Sequence, residues 1–567
     1  MYRLRPTLQL KNAIEVKKSI ESIGIHLKDE IINNSSKLVA LEVFPGVDTS
    51  EWIEWFKNNF RNSLVINTDN LYFSPDRVTA GIQDDLTSDE VYGRFSNKEF
   101  TDFLDPLKVK ELYSQMENAE TVILIGVGAS RIIQSDFIVY LDIARWEVQL
   151  RYREGMLNWK GYNEQEFSEK LQRGYYFDWE AAKRIKDDVL PICDYFVDAN
   201  DKDNPKLVSG DNMRTALEEF TKQPFRLLPY FDSGVWGGKW MQEKFNVDKD
   251  KVNLAWCFDG VPEENSVLMA YGEEEIEMPA YNIVSLYPKE LLGVKVFGRY
   301  GRDYPIRFDF LDTIEGQNLS LQVHPTHDYA YRNFRANYTQ DESYYIVDCE
   351  EDAVVYLGVK EGVRKKELVE ALEEAKITGI FDEHKYINIM PIKKHDHYLI
   401  PGGTIHSSGK NSVVLEISST PNRFTFKLWD WGRLDLDGKP RPISLHHGKH
   451  VINTDFDTNF VKEHLFNRAK VIREDENSLE EHTGLHELEP IETRRLTFTK
   501  EITQSTELST NMLNLVEGDH IEVVSPTDSF EPYDIYFGET FIIPERLKNY
   551  KLVSKSGKAI VMKAYIR

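Results

Sequence analysis

Residues 318–325 read NLSLQVHP, and the organisation of the chain follows from how this stretch is placed. On an extended strand, successive side chains alternate between faces, so Leu319, Leu321 and Val323 share one face and Ser320, Gln322 and His324 the other. An amide oxygen and an imidazole then point the same way, about 7 Å apart along the strand. Glu342 follows eighteen residues after His324, at the head of a second strand-like run, ESYYIVD. Later, residues 398–406, YLIPGGTIH, predict a strand that enters a Pro-Gly-Gly turn and leaves with His406. Glycines there let the backbone fold tightly, so that a side chain two or three residues on aims into a barrel. Two imidazoles, one carboxylate and one amide oxygen suit a borderline divalent ion, zinc first, with a position open for substrate. Singly, each of these residues has an ordinary structural explanation; their order and spacing together point to a metal site.

Outward from this stretch, residues 223 to the C-terminus carry short period-2 runs punctuated by Gly, Pro, Asn and Asp, the pattern of a sandwich or barrel. One helix interrupts them, with Leu368, Leu372 and Ala375 on one face and Gly379 as its stop. From about residue 494 the strand texture repeats as a smaller barrel. The N-terminal part differs. Apolar strand runs at 37–44 (KLVALEVF), 63–67, 121–127 and 137–141 alternate with helical stretches such as 49–60, which predicts a parallel sheet with crossover helices. Charged, turn-rich sequence at 198–211 marks a boundary. The expected division is therefore an α/β domain at 1–222, a mostly-β barrel domain with a small helical insertion at 223–490, and a C-terminal barrel at 491–567.

The 567 residues carry 94 acidic against 69 Lys and Arg side chains, a formal charge of −25. Such a surface is repelled by a phosphate backbone or an anionic leaflet, so neither nucleic acid nor membrane is an expected partner. The basic cluster Arg364-Lys365-Lys366 sits at a helix start. No run of about 18 apolar residues is present. The first residues lack a secretory leader's apolar core, and three scattered cysteines (Cys193, Cys257, Cys349) form no CxxC pair, so a cytoplasmic setting without a disulfide framework is expected. Oligomeric state is not legible.

At this point the pattern resembles a known family. Gln322-Val323-His324-Pro325, then Glu342 before aromatic residues, then Ile400-Pro401-Gly402-Gly403-Thr404-Ile405-His406 resemble the class I mannose-6-phosphate isomerases. Val235-Trp236-Gly237-Gly238 and Phe310-Leu311-Asp312 add to the likeness, which runs from about residue 225 to the C-terminus. The resemblance implies paired cupin barrels and one Zn2+ held by Gln322, His324, Glu342 and His406. It also implies interconversion of mannose 6-phosphate and fructose 6-phosphate through an enediol(ate), with a small-molecule sugar phosphate as the partner. The chain departs from the family at Gln340 and Asp309, where lysines are common, and at Lys427, where an arginine is usual. Alternation places Arg423, Thr425 and Lys427 on one face opposite Phe424, Phe426 and Leu428, and Glu416 opposite Val413, Leu415 and Ile417. Lys427 and Glu416 are accordingly the expected catalytic pair, and Lys427 with Arg433 the expected phosphate-binding cations. His327, His395, His397, His446, His447 and His450 are expected to have surface or structural roles. Two alternatives remain open: a non-catalytic sugar-phosphate sensor, or a different metal-dependent cupin enzyme such as an iron oxygenase.

The N-terminal part faintly resembles a P-loop nucleoside-kinase-like domain, through Ile66-Asn67-Thr68-Asp69-Asn70-Leu71-Tyr72 and the run 121–153 with Arg145, Arg151 and Arg153. Where GxxxxGK[ST] should cradle phosphates, the chain has Phe44-Pro45-Gly46-Val47-Asp48-Thr49-Ser50, with one glycine and no lysine. Asp48 or Thr49 reads instead as a helix N-cap. Gly126-Val127-Gly128 is too short for a dinucleotide site. The resemblance implies a catalytically inactive domain for scaffolding or regulation.

Overall fold

The computed structural model describes residues 2–11, 14–60, 62–162, 165–421, 424–436, 438–484 and 486–567. Two compact units emerge: one takes residues 7–220 and 263–287, the other 1–6, 221–262 and 288–567.

The first unit is built on a seven-stranded sheet. Leu38–Val43 lies inside it, parallel to Phe137–Asp142 on one side and Thr121–Gly126 on the other, with Ser63–Asn67 and Tyr195–Asp198 continuing the parallel array. LVALEV is buried on both faces, which is why it reads as a continuous apolar run rather than an alternating one. Helix Ser50–Asn59 packs Trp52, Ile53 and Phe56 against Ile123, Val139 and Leu141. Thr49 holds the N-cap position, while the Asp48 carboxylate accepts the Ser50 N–H at 2.9 Å. The turn-rich stretch at 198–211 hides an antiparallel strand, Lys206–Ser209, and the helix Gly210–Phe220 follows it.

Residues 1–6 fall in the second unit rather than in the expected N-terminal domain, and the domain expectation needs correction at two further points. Residues 263–287 leave the 223–490 span for the first unit, where Ser266–Tyr271 pairs with Thr7–Leu10 and Glu274–Pro279. The sheet of the C-terminal barrel also starts before 491, with strands Lys470–Glu474 and Ser478–Gly484. Both differences have one cause: alternation announces a strand, but the partner it pairs with can lie hundreds of residues away.

In the second unit, a six-stranded sheet runs in the order His397–Ile400, Asp341–Cys349, Ser412–Ser419, Arg307–Asp312, Trp256–Gly260, Tyr230–Asp232. A five-stranded sheet runs Ile387–Pro391, Val354–Val359, His406–Ser408, Leu321–Val323, Phe426–Trp429. They share one apolar core, with Tyr344, Ile346 and Val414 from the first meeting Val355 and Leu357 from the second. Helix Lys365–Thr378 buries Leu368, Leu372 and Ala375 and ends on Gly379 at φ 74°, a left-handed cap that glycine adopts without a Cβ penalty. A six- and a four-stranded sheet form the C-terminal barrel around Leu496, Leu513, Ile521, Phe541 and Val561. No helix among the described residues is long and apolar enough to cross a membrane.

Candidate metal centre

The short strand Leu321–Val323 pairs with His406–Ser408 on one side and Phe426–Trp429 on the other, and Gln322 stands opposite both His406 and Lys427. Cross-strand partners point to the same face, so these three side chains all turn inward. Glu342 arrives from the opposite sheet, near the start of Asp341–Cys349. The turn that delivers His406 is pressed against the strand bearing His324: Gly403 N–H donates to the His324 carbonyl at 2.9 Å. A Cβ on Gly402 would lie 2.5 Å from the Pro325 carbonyl oxygen, and Gly403 has φ 94°. Both positions require glycine, for close approach and for handedness respectively.

The structure brings His324, Glu342 and His406 together, fully buried, with one ligand atom from each within 4.8 Å of the others. His324 Nε2 is 2.9 Å from Glu342 Oε2, and His406 Nε2 is 2.9 Å from Glu342 Oε1. The far ring nitrogens are committed. His324 Nδ1 lies 2.8 Å from the Phe424 carbonyl oxygen and His406 Nδ1 2.9 Å from that of Thr404. A carbonyl only accepts, so each Nδ1 carries the proton and each Nε2 presents its lone pair to the centre. His324 Nε2 and Glu342 Oε1 have no hydrogen-bond partner among the described residues.

Buried lone pairs converging on one point repel one another unless a cation lies among them. Ligands about 2.0–2.1 Å from a tetrahedral zinc stand roughly 3.4 Å apart, about half an ångström wider than the 2.9 Å imidazole–carboxylate spacings here. Gln322 Nε2 lies 3.0 Å from His406 Nε2, and the Ser320 hydroxyl donates to Gln322 Oε1 at 3.2 Å. Turning the amide over would place its oxygen at the centre as a fourth donor; only hydrogen bonding distinguishes the two orientations. The donor set therefore fits a divalent ion.

Gln340 braces this arrangement, a role the sequence reading missed. Its Nε2 donates to Glu342 Oε2 at 3.0 Å, and its Oε1 accepts the Phe424 N–H at 3.0 Å. One amide thus orients the carboxylate and also the backbone whose carbonyl fixes the His324 tautomer. Gln340→Ala is expected to weaken the affinity of this candidate site for a divalent ion about 10- to 100-fold, measured by competition with a chromogenic chelator. Unchanged affinity would remove this role.

The other expected site residues fall in different places. Glu416 lies cross-strand from Asp309 and from Tyr344. Its acidic neighbours are Asp309 and Glu342. Burial and those two acids raise the Glu416 carboxyl well above its ordinary range, and burial followed by Glu342 raises Asp309 to about 8. Lys427 is half-buried in the five-stranded sheet, and burial lowers its ammonium to about 8, helped by Arg441. Arg433 is held by Asp430, its Nε and Nη2 donating at 2.9 and 2.6 Å. Arg423 lies outside the described residues. Among the remaining histidines, His395 bridges Tyr345 and Glu517, His447 meets Tyr329, and His397 is buried.

Comparison with known proteins divides the chain in a similar way. Residues 20–222 match the family described as "Domain of unknown function (DUF8485)". Mannose-6-phosphate isomerase ManA of Bacillus subtilis (strain 168) is 27% identical over 234 residues, 41% of this chain and 69% of the relative. The mannose-6-phosphate isomerase of Streptococcus mutans serotype c (strain ATCC 700610 / UA159) is 24% identical over 233 residues, 41% of this chain and 68% of the relative. The crystal structure of the mannose 6-phosphate isomerase from Bacillus subtilis matches with TM-score 0.50 at 20% identity, covering 60% of this chain and 99% of its own. Over 41% of its length, this chain is homologous to mannose-6-phosphate isomerases, and it shares the fold of one over a longer span.

Proposed function

We propose that the chain is a metal-dependent aldose–ketose isomerase interconverting mannose 6-phosphate and fructose 6-phosphate through an enediol(ate), with one zinc ion held by Gln322, His324, Glu342 and His406. The observation that carries this reading is the convergence of His324 Nε2, the Glu342 carboxylate and His406 Nε2 with both Nδ1 atoms tied to backbone carbonyls. The homology to proteins named for that reaction supports it. A zinc ion there supplies Lewis acidity toward the sugar's carbonyl and hydroxyl oxygens.

The protein's own groups supply the rest. Isomerisation moves one proton between adjacent carbons, which calls for a group that can both hold and release it. Glu416, kept protonatable by burial beside Asp309 and Glu342, is the side chain assigned to that transfer. Lys427, on the same face as Gln322, offers positive charge to the enediolate or the phosphate. Because its ammonium is lowered to about 8, Lys427 is cationic below that pH and neutral above it. The KM for the phosphorylated sugar is therefore expected to rise as pH climbs through about 8. In Lys427→Arg, whose guanidinium stays charged, that inflection should disappear from a KM–pH profile.

The deciding experiment is a coupled turnover assay on mannose 6-phosphate, with activity lost on chelation and restored by zinc. Tight sugar-phosphate binding without turnover would favour a sensor, and oxygen uptake with iron a different cupin enzyme. For the first unit we infer a scaffolding or regulatory role. After Thr121–Gly126, the N–H groups of Gly128 and Ser130 donate to Glu42 at 2.7 and 2.8 Å, so an intramolecular carboxylate already takes these backbone donors.

A further inference from the structure

Along strand Asp341–Cys349, Glu342, Tyr344 and Ile346 turn to the inner face of the metal-bearing barrel, and their cross-strand partners divide its wall into layers. The first layer sets Glu342 beside Ser418, which stands in turn beside Arg307. The second sets Tyr344 beside Glu416, and Glu416 beside Asp309. The third, Ile346, Val414 and Leu311, belongs to the apolar core. A phenol therefore stands where the polar site gives way to the core.

Tyr344 is fully buried, and its ring lies edge-on to that of His406, with 5.7 Å between centroids and 76° between planes. Its hydroxyl makes no well-formed hydrogen bond among the described residues, and the carboxylates acting on it are Glu342, Glu416 and Asp309. A buried hydroxyl has given up its water and needs an acceptor, whereas a plain phenyl ring would fill the same space without that cost. The three carboxylates are not equivalent as acceptors. Glu342 already takes Gln340 Nε2 at 3.0 Å, and it faces the two imidazoles of the candidate metal centre. Asp309 lies one strand further off, beyond Glu416. Glu416 is directly opposite Tyr344, a placement that brings Cβ atoms within about 4.5–5.5 Å.

We propose that Tyr344 is the positioning residue for Glu416: with Glu342 turned toward a bound divalent ion, the phenol donates a hydrogen bond to one Glu416 oxygen and leaves the other directed at the sugar. This rests on the reading of Glu416 as the proton-transfer group of an isomerase. A carboxyl that takes a proton from one carbon and returns it to the next has to stay aligned with both. Anchoring one oxygen removes the rotation that would lose this alignment.

The test uses the full-length, zinc-loaded chain. Its crystal structure should place the Tyr344 hydroxyl about 2.5–2.7 Å from a Glu416 oxygen, the length of a hydrogen bond to a carboxylate. Tyr344→Phe, which keeps the ring and removes only the donor, is expected to lower kcat for mannose 6-phosphate about 10- to 100-fold, with KM and zinc content near wild type. In a Glu416→Gln background the same change should cost less than about twofold, because the group it positions is already disabled. A purely structural role would lower both backgrounds alike. Equal losses, wild-type kcat in Tyr344→Phe, or a hydroxyl bonded to Glu342 in the zinc-loaded crystal would each overturn the assignment. The crystal decides the contact even if Tyr344→Phe fails to fold. Failure of the isomerase reading is separable: it shows as a zinc-loaded wild type without turnover, whereas an active enzyme lacking the coupling removes only the role of Tyr344.

Discussion

Replacing His406 with alanine is expected to strip zinc from the protein and to lower mannose 6-phosphate turnover by about a thousandfold or more. The physical case is that His406 supplies one of the two Nε2 lone pairs, from a ring already oriented by the Thr404 carbonyl. Without it, Glu342 and His324 remain as a two-donor set with a loosely held amide, fewer than a catalytic zinc site normally has. Loss of several kcal/mol of Lewis-acid stabilisation corresponds to about three orders of magnitude in rate, at about 1.36 kcal/mol per tenfold. Zinc-dependent thermal stabilisation should vanish as well, because an ion that binds only the folded state raises stability by mass action. Metal analysis, turnover and a melting curve with and without zinc would check this. A variant that keeps stoichiometric zinc and wild-type turnover would refute the assigned ligand set.

The second large effect is expected at Glu416. Glu416→Gln should reduce kcat by about 10²- to 10⁴-fold while zinc content and KM stay close to wild type, because an amide keeps the shape but cannot shuttle a proton. The placement behind this is specific: Glu416 faces Asp309 across Arg307–Asp312 and Tyr344 across Asp341–Cys349. Three carboxylates this close cannot all ionise readily, so one of them retains a proton into the neutral range. Asp309→Asn, which removes one of the repelling charges, should shift the acidic limb of the kcat–pH profile downward. Full activity in Glu416→Gln would move the proton transfer to another group.

How the N-terminal unit and the barrels read from sequence differs for a physical reason. LVALEV and helix Ser50–Asn59 could be drawn from the chain directly, because burial on both faces leaves an unbroken apolar run and amphipathicity leaves a 3.6-residue stripe. The face of Lys427 was equally legible, since Phe426 and Leu428 had to go the other way. Less legible was what each inward side chain would meet. Glu416 turned out to face Asp309, and Gln340 to brace Glu342; both contacts are set by register between strands distant in sequence.

Local order along the chain was enough to name candidate ligand types, the turn that carries His406 and the alternation of faces, since these depend on residues within a few positions of each other. Tertiary pairing alone decided that residues 263–287 belong with the first unit, that the C-terminal sheet begins at Lys470, and that Glu416 stands cross-strand from Asp309. Side-chain alternation has a period of two and extends no further than its own strand, whereas the choice of partner strand is a competition among all exposed edges of the folded chain.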